Sequence, residues 1–213
     1  MYELGIFGGT FSPVHNGHVL AAKSFLCAFE LDKLLVMPTA VPPHKEMHGG
    51  ASPDDRLKML RMAFEDDEDY KNGRIEISDW EISNGGKSYT YRTLEHFRGE
   101  GVRLTLICGS DMFLTLERWK NYRDIFSYAR IAYTIREREN AELEAACRDA
   151  AERYRRLYAA DIVYVDMEPI EISSTEVRAA LAGEGDASRF LCDGVLEYIK
   201  SNDMYKGADK NEA

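Results

Sequence analysis

Apolar and polar positions along this chain follow two rhythms that take turns. Short, nearly continuous apolar runs at Glu3–Phe7, Lys33–Met37, Arg74–Ile77, Arg103–Cys108, Arg130–Ile135 and Asp161–Val165 read as strands. Between them, apolar residues recur every three or four positions near His18–Glu30, Pro53–Phe64, Thr90–Arg98, Ala141–Tyr158, Ser174–Leu181 and Gly194–Ser201, the period of helices. Strands that are apolar throughout have both faces covered. The alternation therefore predicts an α/β fold, a doubly wound, mostly parallel sheet with helices on both faces and right-handed crossovers. Ligands of such sheets bind beyond the carboxyl ends of the strands, near the switch point. Segments 8–18, 38–45, 109–119 and 173–178 each follow a strand or strand-like run directly and fall on that edge.

With 213 residues and no internal repeat, the expectation is a single domain over 1–206 and a polar, frayed tail over 207–213. A hydrophobic content of 45% is ample for a globular core. No apolar stretch approaches the roughly 20 residues of a membrane span. The start, Met1-Tyr2-Glu3-Leu4, lacks the basic and apolar regions of a signal peptide. The four cysteines (Cys27, Cys108, Cys147, Cys192) form no CxxC pair and read as buried thiols in a reducing cytoplasm, not as a zinc site. The net charge of −10 argues against nucleic acid as a partner. It also requires that cations serving an anionic ligand be gathered locally.

The most informative segment is Gly8-Gly9-Thr10-Phe11-Ser12-Pro13-Val14-His15-Asn16-Gly17-His18. Glycines let a backbone approach a ligand, and the N–H groups of a helix start attract phosphate. Histidines three apart at a helix start lie on one side of it and can face one anion. A plain strand-to-helix turn with two surface histidines is the bland alternative, and a zinc site lacks nearby Cys or carboxylate partners. A second segment is Ile172-Ser173-Ser174-Thr175-Glu176-Val177-Arg178. Ser173 with Glu176 is a capping box that would start any helix. The hydroxyls of Ser174 and Thr175, spare in that reading, and Arg178 one turn on would also make a phosphate cradle.

Together the two segments resemble the nucleotidyltransferase superfamily marked by a (H/T)xGH helix start and a late ISSTxxR helix, a Rossmann-like group whose HIGH element class I aminoacyl-tRNA synthetases share. Within it, the details are similar to the bacterial nicotinate-nucleotide adenylyltransferases. Further matches are Pro42-Pro43-His44-Lys45, Asp55-Arg56-Leu57-x-Met59, Ser88-Tyr89-Thr90-x-x-Thr93-Leu94, and Gly109-x-Asp111 with Leu116-x-x-Trp119. The chain departs from the family at Ser12 and Arg92, where Asp is usual, and at Arg136-Glu137-Arg138, where an Arg-Pro-Gly-like loop is usual.

The resemblance implies that Gly8, Gly9, Thr10, Phe11 and Gly109 line the ATP groove. It implies that His15 and His18 hold the phosphates and stabilise charge at the α-phosphate. Lys45 would reach the triphosphate from the Pro-rich stretch, and Ser173, Ser174, Thr175 and Arg178 would grip the β and γ phosphates. On that resemblance His15, His18, Lys45 and Arg178 would be the catalytic set. Thr90, Asp111, Trp119 and Arg136 would hold nicotinate mononucleotide, with Trp119 stacking on the pyridine ring. Mg²⁺ would ride on the ATP phosphates, with no metal site made by the protein. A phosphopantetheine or nicotinamide mononucleotide adenylyltransferase, and a non-catalytic nucleotide-binding regulator, stay open, as does a homo-oligomer. Trp80, in a strand-like run, reads as structural, His48 and His96 as surface residues, and Glu65–Asp69 as a solvated helix end.

Overall fold

The computed structural model describes residues 1–42, 50–135, 140–167 and 172–206. Lys45, Arg136, His48 and the tail 207–213 lie outside the described residues. The strands are β1 (Tyr2–Gly9), β2 (Lys33–Pro38), β3 (Ile75–Ile77), β4 (Val102–Gly109), β5 (Ala129–Thr134) and β6 (Ile162–Tyr164). They form one six-stranded sheet in the order β3-β2-β1-β4-β5-β6, with helices on both faces. The order reverses between β1 and β4, which run parallel with Phe7 opposite Ile107. These two strands end at Gly9 and Gly109.

The described helices are α1 (Asn16–Ala28), α2 (Pro53–Phe64), α3 (Glu68–Lys71), α4 (Trp80–Asn84), α5 (Thr90–Phe97), α6 (Ser110–Phe113), α7 (Tyr122–Tyr128), α8 (Ala141–Tyr158), α9 (Ser174–Ala179) and α10 (Asp193–Ser201). All six strands and all six helices that the periodicity predicts are present. The additional α3, α4, α6 and α7 run four to seven residues, too short to show a helical repeat in the sequence. Trp80 opens α4 and is not in a strand: β3 ends at Ile77, and the Trp80 N–H donates to Ser78 Oγ at 3.4 Å.

The described residues gather into two units of interleaved segments. One comprises 1–8, 24–35 and 89–171, the other 9–23, 36–88 and 172–206. In the first, β4 is the buried centre, with Leu104, Leu106 and Ile107 at most 3% exposed. Phe113, Tyr133 and Tyr154 pack there as a stacked and an edge-on aromatic pair, and the Tyr154 hydroxyl donates to the Phe113 carbonyl at 3.0 Å. In the second, Leu57, Met59, Leu60 and Phe64 of α2 make the apolar floor.

Two sequence expectations change here. Cys108 and Cys147 are buried, but Cys27 is exposed on α1 and Cys192 is half-buried. The acidic run is not simply a solvated end. Asp67 accepts from the Asp69 and Tyr70 N–H groups as the cap of α3 and pairs with Lys23 at 2.8 Å, while Asp69 pairs with Arg74 at 2.9 Å. Burial raises the Asp67 carboxyl pKa, but the Lys23 ammonium and the cap N–H groups outweigh it and hold the group below its usual range. No helix among the described residues is long and apolar enough to cross a membrane.

Candidate active site

The turn after β1 is shaped by the close approach of its own residues. Phe11 has φ +50, a backbone region costly for a residue with a Cβ, and its side chain is only 2% exposed. Its ring lies over Gly9, where a Cβ would come within 3.0 Å of it. A Cβ on Gly9 would press on the Phe11 ring, whereas one on Gly8 would meet nothing within 4 Å. Phe11 then meets the His18 ring edge-on at 4.9 Å between centroids. The Ser12–Pro13 peptide is cis.

His15 lies immediately before α1, where its carbonyl accepts from the His18 N–H at 2.8 Å and from the Val19 N–H at 3.4 Å. The expected facing of the two histidines is present, with ring centroids 3.7 Å apart. His15 is buried at 3% exposure, and His18 is half-buried. The His15 N–H donates to His18 Nδ1 at 3.3 Å. Nδ1 therefore presents its lone pair inward, and a neutral His18 carries its proton on Nε2. That assignment makes Nε2 the donor nitrogen of a neutral His18 ring. The helix-start N–H groups are not all available to a ligand: the Asn16 N–H already donates to the Phe190 carbonyl at 2.8 Å.

The second motif is joined to this turn directly. The Ser174 hydroxyl donates to the Pro13 carbonyl at 3.2 Å, and Arg178 Nη1 donates to the Ser12 carbonyl at 3.0 Å. Arg178 Nη2 donates to Thr175 Oγ1 at 3.1 Å. Residues some 160 positions apart thus share one side of the unit formed by 9–23, 36–88 and 172–206. The hydroxyls of Ser174 and Thr175 are not spare, as the sequence had suggested: Ser174 docks α9 onto the turn, and Thr175 accepts from Arg178 within α9. Ser173 makes the capping box, accepting from the Glu176 N–H at 3.2 Å and donating to Glu176 Oε2 at 2.7 Å. The Ser173 hydroxyl and N–H hold the Glu176 carboxyl pKa below its usual range.

The residues expected to hold the acceptor lie in the other unit. Thr90 starts α5, Asp111 is exposed on α6, and Trp119 is half-buried where a short 3₁₀ turn (Leu116–Arg118) ends. The Lys120 ammonium sits 4.6 Å from the Tyr89 ring centroid, so the chain neighbours of Trp119 and Thr90 touch. Arg92 reaches the Tyr91 hydroxyl through Nε at 3.2 Å on an exposed surface. Thr93 points into the core at 2% exposure.

The sequence reading assigned no role to two residues that the structure places against the turn. Arg56 of α2 is fully buried, and its guanidinium donates to the carbonyls of Thr10 (2.7 Å), Thr39 (2.6 Å) and Ala40 (3.1 Å). Each such charge-assisted bond contributes about 1.5–3 kcal/mol, against a desolvation cost of several kcal/mol for a buried ion. Tyr205, also buried, exchanges a hydrogen bond of 3.1 Å with the Ser12 hydroxyl, and burial pushes its phenol pKa up to about 12. A signal for Arg56 did exist: it stands in four-residue register with Leu60 and Phe64 on the apolar stripe of α2.

A doubly wound sheet with imidazoles, a guanidinium and hydroxyls around one glycine turn defines a nucleotidyltransferase-type site, and the chain belongs to the cytidylyltransferase-like family, whose model matches residues 6–180. Within it the chain is a member of the nicotinate-nucleotide adenylyltransferase group. A protein of Desulfatibacillum aliphaticivorans described as a probable nicotinate-nucleotide adenylyltransferase is 36% identical over 95% of this chain and 99% of its own length. One of Clostridium acetobutylicum, described in the same words, is 33% identical over 96% of this chain and 100% of its own length. Among solved structures, the nicotinic acid mononucleotide adenylyltransferase of Plasmodium falciparum complexed with NaAD superposes with a TM-score of 0.77. That match covers 96% of this chain and 98% of the other at 15% identity, a likeness of fold.

Proposed function

We propose that this chain transfers the adenylyl group of ATP to nicotinate mononucleotide, giving nicotinate adenine dinucleotide and pyrophosphate. The observation that carries the reading is the docking of the second motif on the first, Arg178 and Ser174 onto the Ser12 and Pro13 carbonyls. That docking brings a guanidinium to the turn that carries the two imidazoles, a combination suited to phosphate oxygens. The names of its full-length relatives supply the acceptor.

In the proposed reaction an oxygen of the mononucleotide 5′-phosphate attacks the α-phosphorus of ATP in line. A new P–O bond forms as the bond to the bridging oxygen of the β-phosphate breaks, and pyrophosphate leaves with that electron pair. The attacking phosphate, with a second pKa near 6, is largely ionised at neutral pH and needs no general base. Catalysis then consists of positioning and of stabilising charge on the phosphoryl oxygens. His18 Nε2–H is assigned to the α-phosphate, with His15 and Lys45 beside it. Arg178 is assigned to the outer phosphates through the positive charge of its guanidinium. Ser173, Ser174 and Thr175 contribute through the helix start that they hold. Thr90, Asp111, Trp119 and Arg136 are assigned to the acceptor.

Among the described residues no group of three His, Cys, Asp or Glu side chains could hold a metal ion. The donors present fit phosphate, so Mg²⁺ would be carried by the triphosphate and water and would neutralise phosphate charge when bound. The buried thiols of Cys108 and Cys147 suit a reducing, cytoplasmic setting.

The test is pyrophosphate release from ATP with nicotinate and nicotinamide mononucleotides offered separately. The expected result is a kcat/KM at least about tenfold higher for nicotinate, a difference of roughly 1.4 kcal/mol in transition-state binding. Equal use of both, better use of nicotinamide mononucleotide, or turnover with neither would overturn the acceptor assignment.

A further inference from the structure

Arg56 is an expensive way to fill its position. A leucine or methionine there, in register with Leu60 and Phe64, would occupy the same apolar stripe without burying a charge. Among the described residues the guanidinium faces no carboxylate. Its partners are three main-chain carbonyls, and its buried Nε has no acceptor. Replacing such an ion by a well-packed apolar residue often leaves a protein as stable or more so. The ion must then serve geometry, and its partners show which geometry.

Thr10 belongs to the nucleotide turn, and Thr39 and Ala40 follow β2 directly. The two segments already meet where the Thr39 N–H donates to the Gly9 carbonyl at 2.9 Å. The planar fork of an arginine spans carbonyls from both, which the point charge of a lysine cannot do in the same arrangement. The fork is itself held in place. Arg56 sits in the first turn of α2, whose start is fixed by the Ser52–Asp55 capping box and by the Tyr198 hydroxyl donating to Asp55 Oδ1 at 2.8 Å. On the same turn, Tyr205 bonds the Ser12 hydroxyl and Arg178 bonds the Ser12 carbonyl.

We propose that Arg56 is a positioning residue for ATP: its guanidinium clamps Thr10 to Thr39–Ala40 and sets the shape of the Gly9–Ser12 turn without touching substrate. The inference rests on the assignment of ATP to that turn, made above. It separates Arg56 from the acceptor residues Thr90, Asp111 and Trp119, which no Arg56 hydrogen bond reaches.

The experiment compares Arg56→Lys and Arg56→Met with the unaltered protein by thermal melt, by titration with a fluorescent ATP analogue, and by steady-state kinetics with ATP and nicotinate mononucleotide each varied. The expected result, in whichever variant melts cooperatively, is an ATP dissociation constant and KM raised about fivefold or more while the mononucleotide KM stays within about twofold. Arg56→Lys should be milder than Arg56→Met. A smaller change for ATP, an equal rise in both KM values, or failure of both variants to fold would overturn the proposal and leave Arg56 a structural residue only. An unaltered protein that binds the ATP analogue but forms no dinucleotide would refute the acceptor assignment alone, and the comparison of dissociation constants would still decide on Arg56. Absence of ATP binding would refute both.

Discussion

His15 and His18 do different work although they lie in one motif. His15 is buried at the helix entrance and directs its N–H onto His18 Nδ1, whereas His18 is half-buried and, when neutral, carries its proton on Nε2. A donor aimed at a developing phosphoryl charge is worth about 10²–10³ in rate. His18→Ala should therefore lower kcat by about that factor while moving the ATP KM less than about fivefold, as read by single-turnover and steady-state kinetics. Equal losses in kcat and ATP affinity would assign His18 to ground-state binding. The chemistry of this pair is legible from residue type and spacing. The tautomer is not, because it depends on which backbone N–H meets Nδ1. Gly9 is similar: its identity is plain in the sequence, but what a Cβ there would press on, the Phe11 ring, needs coordinates.

Two helix starts carry capping boxes, Ser52–Asp55 on α2 and Ser173–Glu176 on α9. Ser173→Ala should cost about 1 kcal/mol of stability, measured by denaturant midpoint. The carboxylates give the boxes a pH dependence. Burial raises the Asp55 pKa, but the hydrogen bonds from Ser52 and Tyr198 and the charge of Lys58 outweigh it, leaving the group below its ordinary value. Glu176 is lowered by Ser173. A carboxyl lowered in the folded state stabilises above its unfolded pKa near 4, and that contribution is lost as pH falls through the folded value. Asp55→Asn should therefore lower the melting temperature at pH 7, with the gap to the unaltered protein narrowing as pH falls below the ordinary carboxylate range. A gap that is constant with pH would contradict the assignment. The Ser173–Glu176 box is local and readable, as are the longer helices, whose repeats fill several turns. The short α3, α4, α6 and α7 are not, since a single turn or two has no period to detect.

The sheet order has chemical consequences for the cysteines. Cys108 on β4 and Cys147 on α8 are buried, and burial pushes both thiols up, Cys108 most strongly. A thiol held neutral and covered reacts slowly. In the native protein a disulfide-exchange reagent should titrate Cys27, with Cys192 following, and reach Cys108 and Cys147 only after denaturation. Prompt reaction of all four would contradict the burial of β4. The sequence reading made Cys27 a buried thiol from residue type and the absence of a CxxC pair, but one helix cannot reveal which of its faces the sheet covers.

The same division runs through the whole molecule. The βα alternation, the parallel sheet, the glycine turn and the cationic and hydroxyl-bearing helix starts follow from spacings within a few residues, and such spacings are local by nature. Tertiary structure alone decided that Ser174 and Arg178 would bond the carbonyls of Pro13 and Ser12, and that Arg56 would tie Thr10 to Thr39 and Ala40. Main-chain carbonyls carry no residue signature, so their partners across the chain emerge only when the crossovers of the sheet bring them within hydrogen-bonding distance.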